Sequence, residues 1–362
     1  MDFIIESALK GYSGMNIEDG IKGQARIKVI GAGGGGTNAV SWLYQKGIQG
    51  AEIIGVNTDE QHLRMINADH KILLGKELTR GLGAGGNPEQ GAAAAEESKT
   101  ELKEVLKDTD MLFLLAGMGG GTGTGSAPVI AQMAKDMGTI VIGCVTMPFS
   151  IEKARVDKAE IGLSKLRQSC NSVIVIDNNR LVKLAGNLPV SQAFAVANEL
   201  VSTMIKSIVE TIALPSLVNL DFADVKAIMT HGNVCSMGVG ESSSDNRVEE
   251  AVKKAMQNPL LEVDYNGATG ALIHITGGED MTLQDVNRIG ELISEKLDQN
   301  AMVMWGSRIQ SDMEGKIRVM LIATGVKSPW IIGPERIENI NQVRSTQAYN
   351  QFNEELGINI LR

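Results

Sequence analysis

Apolar positions along the chain fall into two alternating rhythms. Short, β-prone runs at 26–31, 52–57, 71–74, 111–116, 139–145 and 172–176 read as strands buried on both faces. Between them lie segments with helical spacing. Ala39, Leu43 and Tyr44 share one face, Pro88 opens an alanine- and glutamate-rich stretch, and 127–137 and 156–168 follow. Strands alternating with helices predict a mostly parallel, Rossmann-like α/β sheet covered on both faces. From 189 to about 212 a long helical pattern (Val190, Ala193, Phe194, Ala197, Leu200, Val201, Met204, Ile208) reads as a spine between two domains. Beyond it, strands near 234–239, 271–276, 302–309 and 317–323 and helices at 247–257 and 283–297 predict a smaller α+β domain. The resulting division is an extension (1–25), a first domain (26–188), a central helix (189–213), a second domain (214–326) and a linker with a tail (327–362).

The punctuation between these elements is glycine. The chain holds 41 glycines in 362 residues, well above the usual ~7%, and they concentrate in three loops at predicted strand ends: 31–38, 79–87 and 115–128. Six of the nine residues from Gly117 to Gly125 are glycine. A buried strand, a glycine loop and a helix N-terminus in that order present backbone N–H groups to phosphates. Glycine permits positive φ and close ligand approach to the main chain. Thr122, Thr124 and Ser126 are expected to add hydroxyl donors. A plain flexible turn is the alternative, but linkers are not wedged between a buried strand and an apolar helix. Ligands of such sheets sit at the carboxyl ends of the strands, so the three loops converge on one site.

Composition narrows the class. With 43% hydrophobic and 21% charged residues, the chain reads as soluble and globular. A net charge of −9 argues against nucleic acid or an anionic membrane as the main partner. Cys144, Cys170 and Cys235 show no paired spacing, which predicts reduced thiols in a cytoplasm. His62, His70, His231 and His274 show no metal-ligand spacing and read as surface or core residues. No apolar run approaches a membrane span, so direct membrane insertion is not expected. In the extension, Phe3, Ile4, Ala8 and Leu9 line one face of a short helix, while Asp2 and Glu6 argue against a secretory signal.

Gly31-x-Gly33-x-x-Gly36, with Asp59 following, fits the dinucleotide fingerprint. A dehydrogenase, however, needs only this first loop and leaves Gly119–Gly125 without a role. The Gly-x-x-x-x-Gly-Lys-Ser/Thr pattern of P-loop enzymes is absent. Gly119-Gly-Gly-Thr-Gly-Thr-Gly125 instead matches the signature of the tubulin/FtsZ superfamily. Over roughly 26–326 the chain resembles the cell-division GTPase FtsZ. The Gly33–Asn38 loop, Asn57-Thr-Asp59, Gly81–Pro88, Pro148-Phe149 and Asn219-x-Asp-x-x-Asp224 fall in the family's order. Asp177-Asn-Asn-Arg-Leu181, the extension and the short tail look like the second archaeal type.

The resemblance implies a tubulin/FtsZ fold binding GTP or GDP with Mg²⁺. Gly33, Gly34, Gly35, Gly36, Thr37 and Asn38 would hold phosphates from one side. Gly120, Gly121, Thr122, Gly123, Thr124 and Gly125 would hold them from the other, and Gly85 belongs to the third loop. Mg²⁺ would bridge the β- and γ-phosphates with water completing its octahedron, so no protein metal ligand is assigned. Glu152 and Arg155 match the family's ribose-and-phosphate pair, with the arginine three residues after the glutamate instead of four; an exposed ion pair opening a helix is the other reading. Asn178 and Asn198 fall where the base is read, with Phe194 stacking on it. FtsZ usually carries aspartate at the position of Asn198, whereas tubulins are similar to this chain in using asparagine.

Asp221 and Asp224, at i and i+3 near a helix start, read by default as an N-terminal cap. In the family the loop with Asn219, Asp221 and Asp224 reaches the next subunit's nucleotide and orients the attacking water. The resemblance thus implies a head-to-tail filament in which hydrolysis depends on assembly. The tail (Leu356, Ile358, Ile360, Leu361) implies binding to membrane-anchoring or division-ring proteins, and action at the mid-cell division site. A filament scaffold that binds nucleotide with little or no hydrolysis is the rival reading.

Overall fold

The computed structural model describes residues 25–327 apart from 215, 219, 232–234 and 258–262. The expected N-terminal helix, the linker and tail beyond 327, and Asn219 lie outside the described residues. Strands β1 (Ile27–Ala32), β2 (Ala51–Asn57), β3 (His70–Leu73), β4 (Met111–Gly117), β5 (Ile140–Met147) and β6 (Ser172–Asp177) form one sheet in the order β3-β2-β1-β4-β5-β6. Every pairing in it is parallel. Successive side chains point to opposite faces, so Val29, Phe113 and Leu115 join one core while Ile30, Leu112 and Leu114 join the other.

Eight helices belong to this part of the described chain: α1 (Gly33–Lys46), α2 (Glu60–Met65), α3 (Lys76–Thr79), α4 (Pro88–Glu97), α5 (Lys99–Leu106), α6 (Thr122–Asp136), α7 (Ala154–Ser169) and α8 (Asn178–Ala185). Two of them start earlier than the sequence pattern suggests. Gly33–Asn38 and Thr122–Gly125, expected as loops, are the opening turns of α1 and α6. Glycine there serves contact as well as flexibility. A Cβ on Gly36 would lie 2.2 Å from the Leu115 carbonyl oxygen, and one on Gly125 would lie 2.0 Å from that of Pro88. Helix α8 carries a strong apolar face that the sequence reading did not pick out.

The 24-residue helix α9 (Val190–Ala213) matches the expected spine, with Ala197, Val201, Met204 and Ile208 buried. Its inner face shares one core with Val29 of the first sheet, Leu43 of α1, and Met320 and Ile322 of the second sheet. The rest comprises α10 (Phe222–His231), β7 (Cys235–Ser242), α11 (Arg247–Met256), β8 (Ala268–Gly277), α12 (Leu283–Ser294), β9 (Leu297–Ile309) and β10 (Ile317–Thr324). Its sheet runs β7-β10-β8-β9. Strand β10 is antiparallel to β7 and β8, while β8 and β9 are parallel. Strand β9 begins well before the expected 302, and α12 stops before 297. The polar Asp298-Gln-Asn300 segment conceals a strand because β9 lies at the sheet edge, where exposed polar residues are tolerated.

Helix α11 lies directly on β7. A Cβ on Gly238 would sit 1.8 Å from the Ala255 carbonyl oxygen. Gly290, within α12, faces open space. Gly238→Ala is therefore expected to lower folding stability by about 1–3 kcal/mol through overpacking. Gly290→Ala should raise it by about 0.5–1 kcal/mol through helix propensity. Chemical denaturation of the two variants checks both signs.

Candidate nucleotide site

The strand order reverses between β1 and β4, which makes the crevice beyond their carboxyl ends the topological switch point. Helices α1 and α6 begin there. Neither has a side-chain cap or an acidic residue in its first turn. Two helix N-termini thus aim unpaired amides and positive dipole ends at one place. The loops touch through their backbones: a Cβ on Gly33 would lie 2.6 Å from the Gly123 nitrogen, and one on Gly35 would lie 3.1 Å from the Gly117 Cα. Gly34 and Gly120 face open space, as does Gly85 at φ +55. The third loop leans on the second, since a Cβ on Gly121 would meet Ala84 at 2.8 Å and the Asn87 nitrogen at 2.9 Å.

Beside this cradle opens a cleft of about 280 Å³. Leu115, Ala116, Cys144, Thr146 and Ile176 form its floor; Gly35, Gly36 and Asn38 form one wall, and Asn178, Phe194 and Asn198 the other. Of the predicted site residues, these six are the ones that line it. Phe194 is braced edge-on by Phe149, with ring centroids 6.0 Å apart and planes at 69°. Asn178 is 8% exposed and its Oδ1 has no hydrogen-bond partner. A buried acceptor left open in a cleft is costly, and guanine's N–H edge is a group that would satisfy it.

Two hydroxyls near the cradle are committed to the helices themselves. Ser126 Oγ donates to the Thr122 carbonyl at 2.7 Å, and Thr37 Oγ1 donates to that of Gly33 at 2.7 Å; both residues are fully buried. Their protons are committed to the helix turns, so neither is offered to a phosphate. Thr124 Oγ1 accepts from the Gly119 amide at 2.8 Å, and Thr122 Oγ1 pairs with Thr58 Oγ1 at 2.6 Å. The Thr122 and Thr124 oxygens brace the loop, and the Thr124 hydroxyl proton stays available beside the main-chain amides.

Glu152 and Arg155 form the ion pair of the alternative reading, Nη1 to Oε2 at 2.7 Å. The Arg155 side chain is 62% exposed, and neither residue lines the cleft. Its backbone packs on the glycine loop, 2.8 Å from where a Gly119 Cβ would be. Asp59 caps α2, its Oδ1 accepting from the His62 amide at 3.0 Å, and it does not line the cleft. Asp221 and Asp224 cap α10 reciprocally. Asp221 Oδ1 accepts from the Asp224 amide at 2.8 Å, and Asp224 Oδ2 accepts from the Asp221 amide at 3.0 Å. They do not line this chain's own cleft.

His62, read from the sequence as an ordinary surface or core residue, touches the cleft wall. Asn57 Oδ1 accepts from the Thr58 and Asp59 amides at 2.9 and 3.4 Å, so its Nδ2 donates to His62 Nδ1 at 3.2 Å. Nε2 of the neutral ring then donates to Asn38 Oδ1 at 3.1 Å, leaving the Asn38 amide hydrogens for a ligand. No spacing rule connects positions 38, 57 and 62. The three cysteines are buried and free, and burial pushes each thiol up to about 12, which leaves them unreactive.

The description "Tubulin/FtsZ family, GTPase domain" matches residues 26–186, and "FtsZ family, C-terminal domain" matches 233–327. Cell division protein FtsZ 2 of Methanocaldococcus jannaschii is 55% identical over 346 residues, covering 94% of this chain and 90% of that protein. The chain belongs to the FtsZ family. FtsZ 2 of Halobacterium salinarum is 52% identical, over 89% of this chain and 82% of the relative. The solved structure described as "FtsZ dimer, empty (M. jannaschii)" superposes with a TM-score of 0.77 at 45% identity, covering 88% of this chain and 92% of that one. The resemblance to the second archaeal type is thereby borne out, as is the tubulin/FtsZ fold. The chain is a tubulin-like GTPase of the cell-division family, and its first domain binds GTP and GDP.

Asn178→Ala is expected to weaken GTP binding by about three- to tenfold. It should cost the unliganded chain little stability, because the acceptor removed is already unsatisfied. Arg155→Ala, losing an exposed ion pair, should change GTP affinity by less than about threefold. Calorimetric titration and thermal unfolding test both variants.

Proposed function

We propose that the chain assembles head-to-tail and hydrolyses GTP at the junction between subunits, with Asn219, Asp221 and Asp224 of one subunit acting on nucleotide held by the next. The observation that carries this reading is the division of chemistry within the chain. The cleft is rich in amides and glycine and presents no carboxylate at its glycine cradle, while the paired carboxylates stand at the head of α10 with Asp221 exposed. Phosphoryl transfer needs charge stabilisation and an oriented water. The cradle supplies the first through α1 and α6. The second must come from a group with free acceptor lone pairs. Asp221 and Asp224 each give one oxygen to the cap and keep the other for a water. A similar protein solved as a dimer supports self-association.

The remaining roles follow from this arrangement. Gly33–Asn38 and Gly120–Gly125 hold the phosphates, Asn178 and Asn198 read guanine, and Phe194 packs on it. Among the described residues no group of three or more His, Cys, Asp or Glu is placed to hold a metal ion. Mg²⁺ bound with the nucleotide would supply charge neutralisation for the transferring phosphoryl group. Residues 1–25 form an extension, 26–188 the GTP-binding domain, 189–213 the central helix, 214–326 the second domain and 327–362 the linker and tail. Among the described residues no helix is long and apolar enough to cross a membrane. The tail would link filaments in the cytoplasm to membrane-anchoring or division-ring proteins at mid-cell.

GTP turnover measured against protein concentration tests the junction. Turnover per molecule should rise steeply above an assembly threshold. Asp224→Ala should lower it by about 100-fold or more while GTP still binds. Turnover independent of concentration, or untouched by the substitution, would make the two aspartates helix caps only.

A further inference from the structure

Among the described residues just ahead of the carboxylate pair, Val218 and Leu220 between α9 and α10 pack against β9. Val218 and Ser307 exchange two N–H···O bonds of 3.1 Å each, laying the segment against the strand. At Gly306 the approach is too close for any side chain: a Cβ would lie 2.7 Å from the Val218 carbonyl oxygen and 2.8 Å from Leu220 Cγ. Leu220 itself is buried, just before Asp221.

The next residue but one along β9 is Arg308, which is 8% exposed. Its Nη2 lies 2.7 Å from the Glu210 carbonyl oxygen, 2.9 Å from that of Leu214 and 3.1 Å from Ser216 Oγ. Glu210 is in the last turn of α9 and Leu214 follows it, so the guanidinium sits on the negative end of that helix. Ser216 is also 3.4 Å from His274 Nε2. Burial first, and then the Arg308 charge, push His274 down to about 3, so this neighbour is a neutral ring. The other end of α9 carries Phe194 and Asn198 on the cleft wall. A helix of 24 residues spans about 36 Å. One rigid rod therefore joins the nucleotide cleft to the carboxylate segment, and Arg308 grips its far end.

We propose that Arg308 is the positioning residue of the trans-acting segment: from β9 it holds the end of α9 and Ser216 together, so that Asp221 and Asp224 meet the neighbouring nucleotide in one geometry. The proposal rests on the reading that hydrolysis occurs across the junction. It distinguishes Arg308 from a catalytic residue, since its buried guanidinium is engaged by groups of its own chain. A lysine brings one compact ammonium where arginine brings a planar fork, so it restores the position in part. A methionine fills the space and leaves the carbonyls without the donor.

The test uses the full chain as wild type, Arg308→Lys, Arg308→Met and Asp224→Ala. It compares folding stability by thermal unfolding, GTP affinity of the unassembled chain, assembly by sedimentation, and kcat and KM per sedimented subunit. The expected result for Arg308→Met is GTP affinity within about twofold of wild type and kcat down about tenfold or more, with Arg308→Lys between them. Wild-type kcat for Arg308→Met alongside an inactive Asp224→Ala would overturn the Arg308 role and leave the junction intact. Parallel loss of GTP affinity, folding stability and kcat would overturn it too, reducing Arg308 to a fold residue. Wild-type turnover in Asp224→Ala would instead remove the junction reading itself. If Arg308→Met does not fold, Arg308→Lys decides alone: reduced kcat at unchanged GTP affinity supports the proposal, and unchanged kcat contradicts it.

Discussion

Everything at the nucleotide site depends on how closely the backbones of α1, α6 and the two central strands approach one another. Gly36 stands against the Leu115 carbonyl, Gly33 against the Gly123 amide and Gly123 against the carbonyls of Gly117 and Ala32, at separations where no Cβ fits. That closeness brings two helix N-termini to one point. A single uncapped N-terminus attracts an anion modestly, by about 0.3–1 kcal/mol. Two facing the same volume, with no acidic side chain in either first turn, suit a ligand with several phosphates. Buried hydroxyls of Thr37, Thr122, Thr124 and Ser126 brace this arrangement from behind.

What the sequence made legible follows from local rules. Buried parallel strands read as apolar runs, α9 as an unbroken helical period, and the glycine loops as breaks at strand ends. The reading erred where the cause was tertiary. Gly33–Asn38 and Thr122–Gly125 looked like loops because glycine disfavours helices, yet backbone contact across the sheet outweighs that penalty. The polar start of β9 is tolerated only because the strand lies at an edge. His62 and Arg308 were invisible for a different reason. Their partners, Asn38 and Asn57 for one and Glu210, Leu214 and Ser216 for the other, are set by the fold and not by spacing.

On the proposed reading, the aspartate pair serves two roles with one geometry. Within a subunit, Asp221 and Asp224 satisfy the first amides of α10 and so fix their own rotamers. That fixed pair is also what an interfacial site needs, because a carboxylate held by a helix start spends no further side-chain entropy when the next subunit docks. The cleft and the pair lie toward opposite ends of the rod formed by α9, an arrangement that suits repeated head-to-tail contact.

The most direct test of the account is a structure of the assembled filament with a slowly hydrolysed GTP analogue. The account predicts Asp221 and Asp224 of one subunit within a single bridging water of the γ-phosphate bound by its neighbour. A filament in which that phosphate is enclosed by one subunit alone, with both aspartates serving only as the cap of α10, would contradict it.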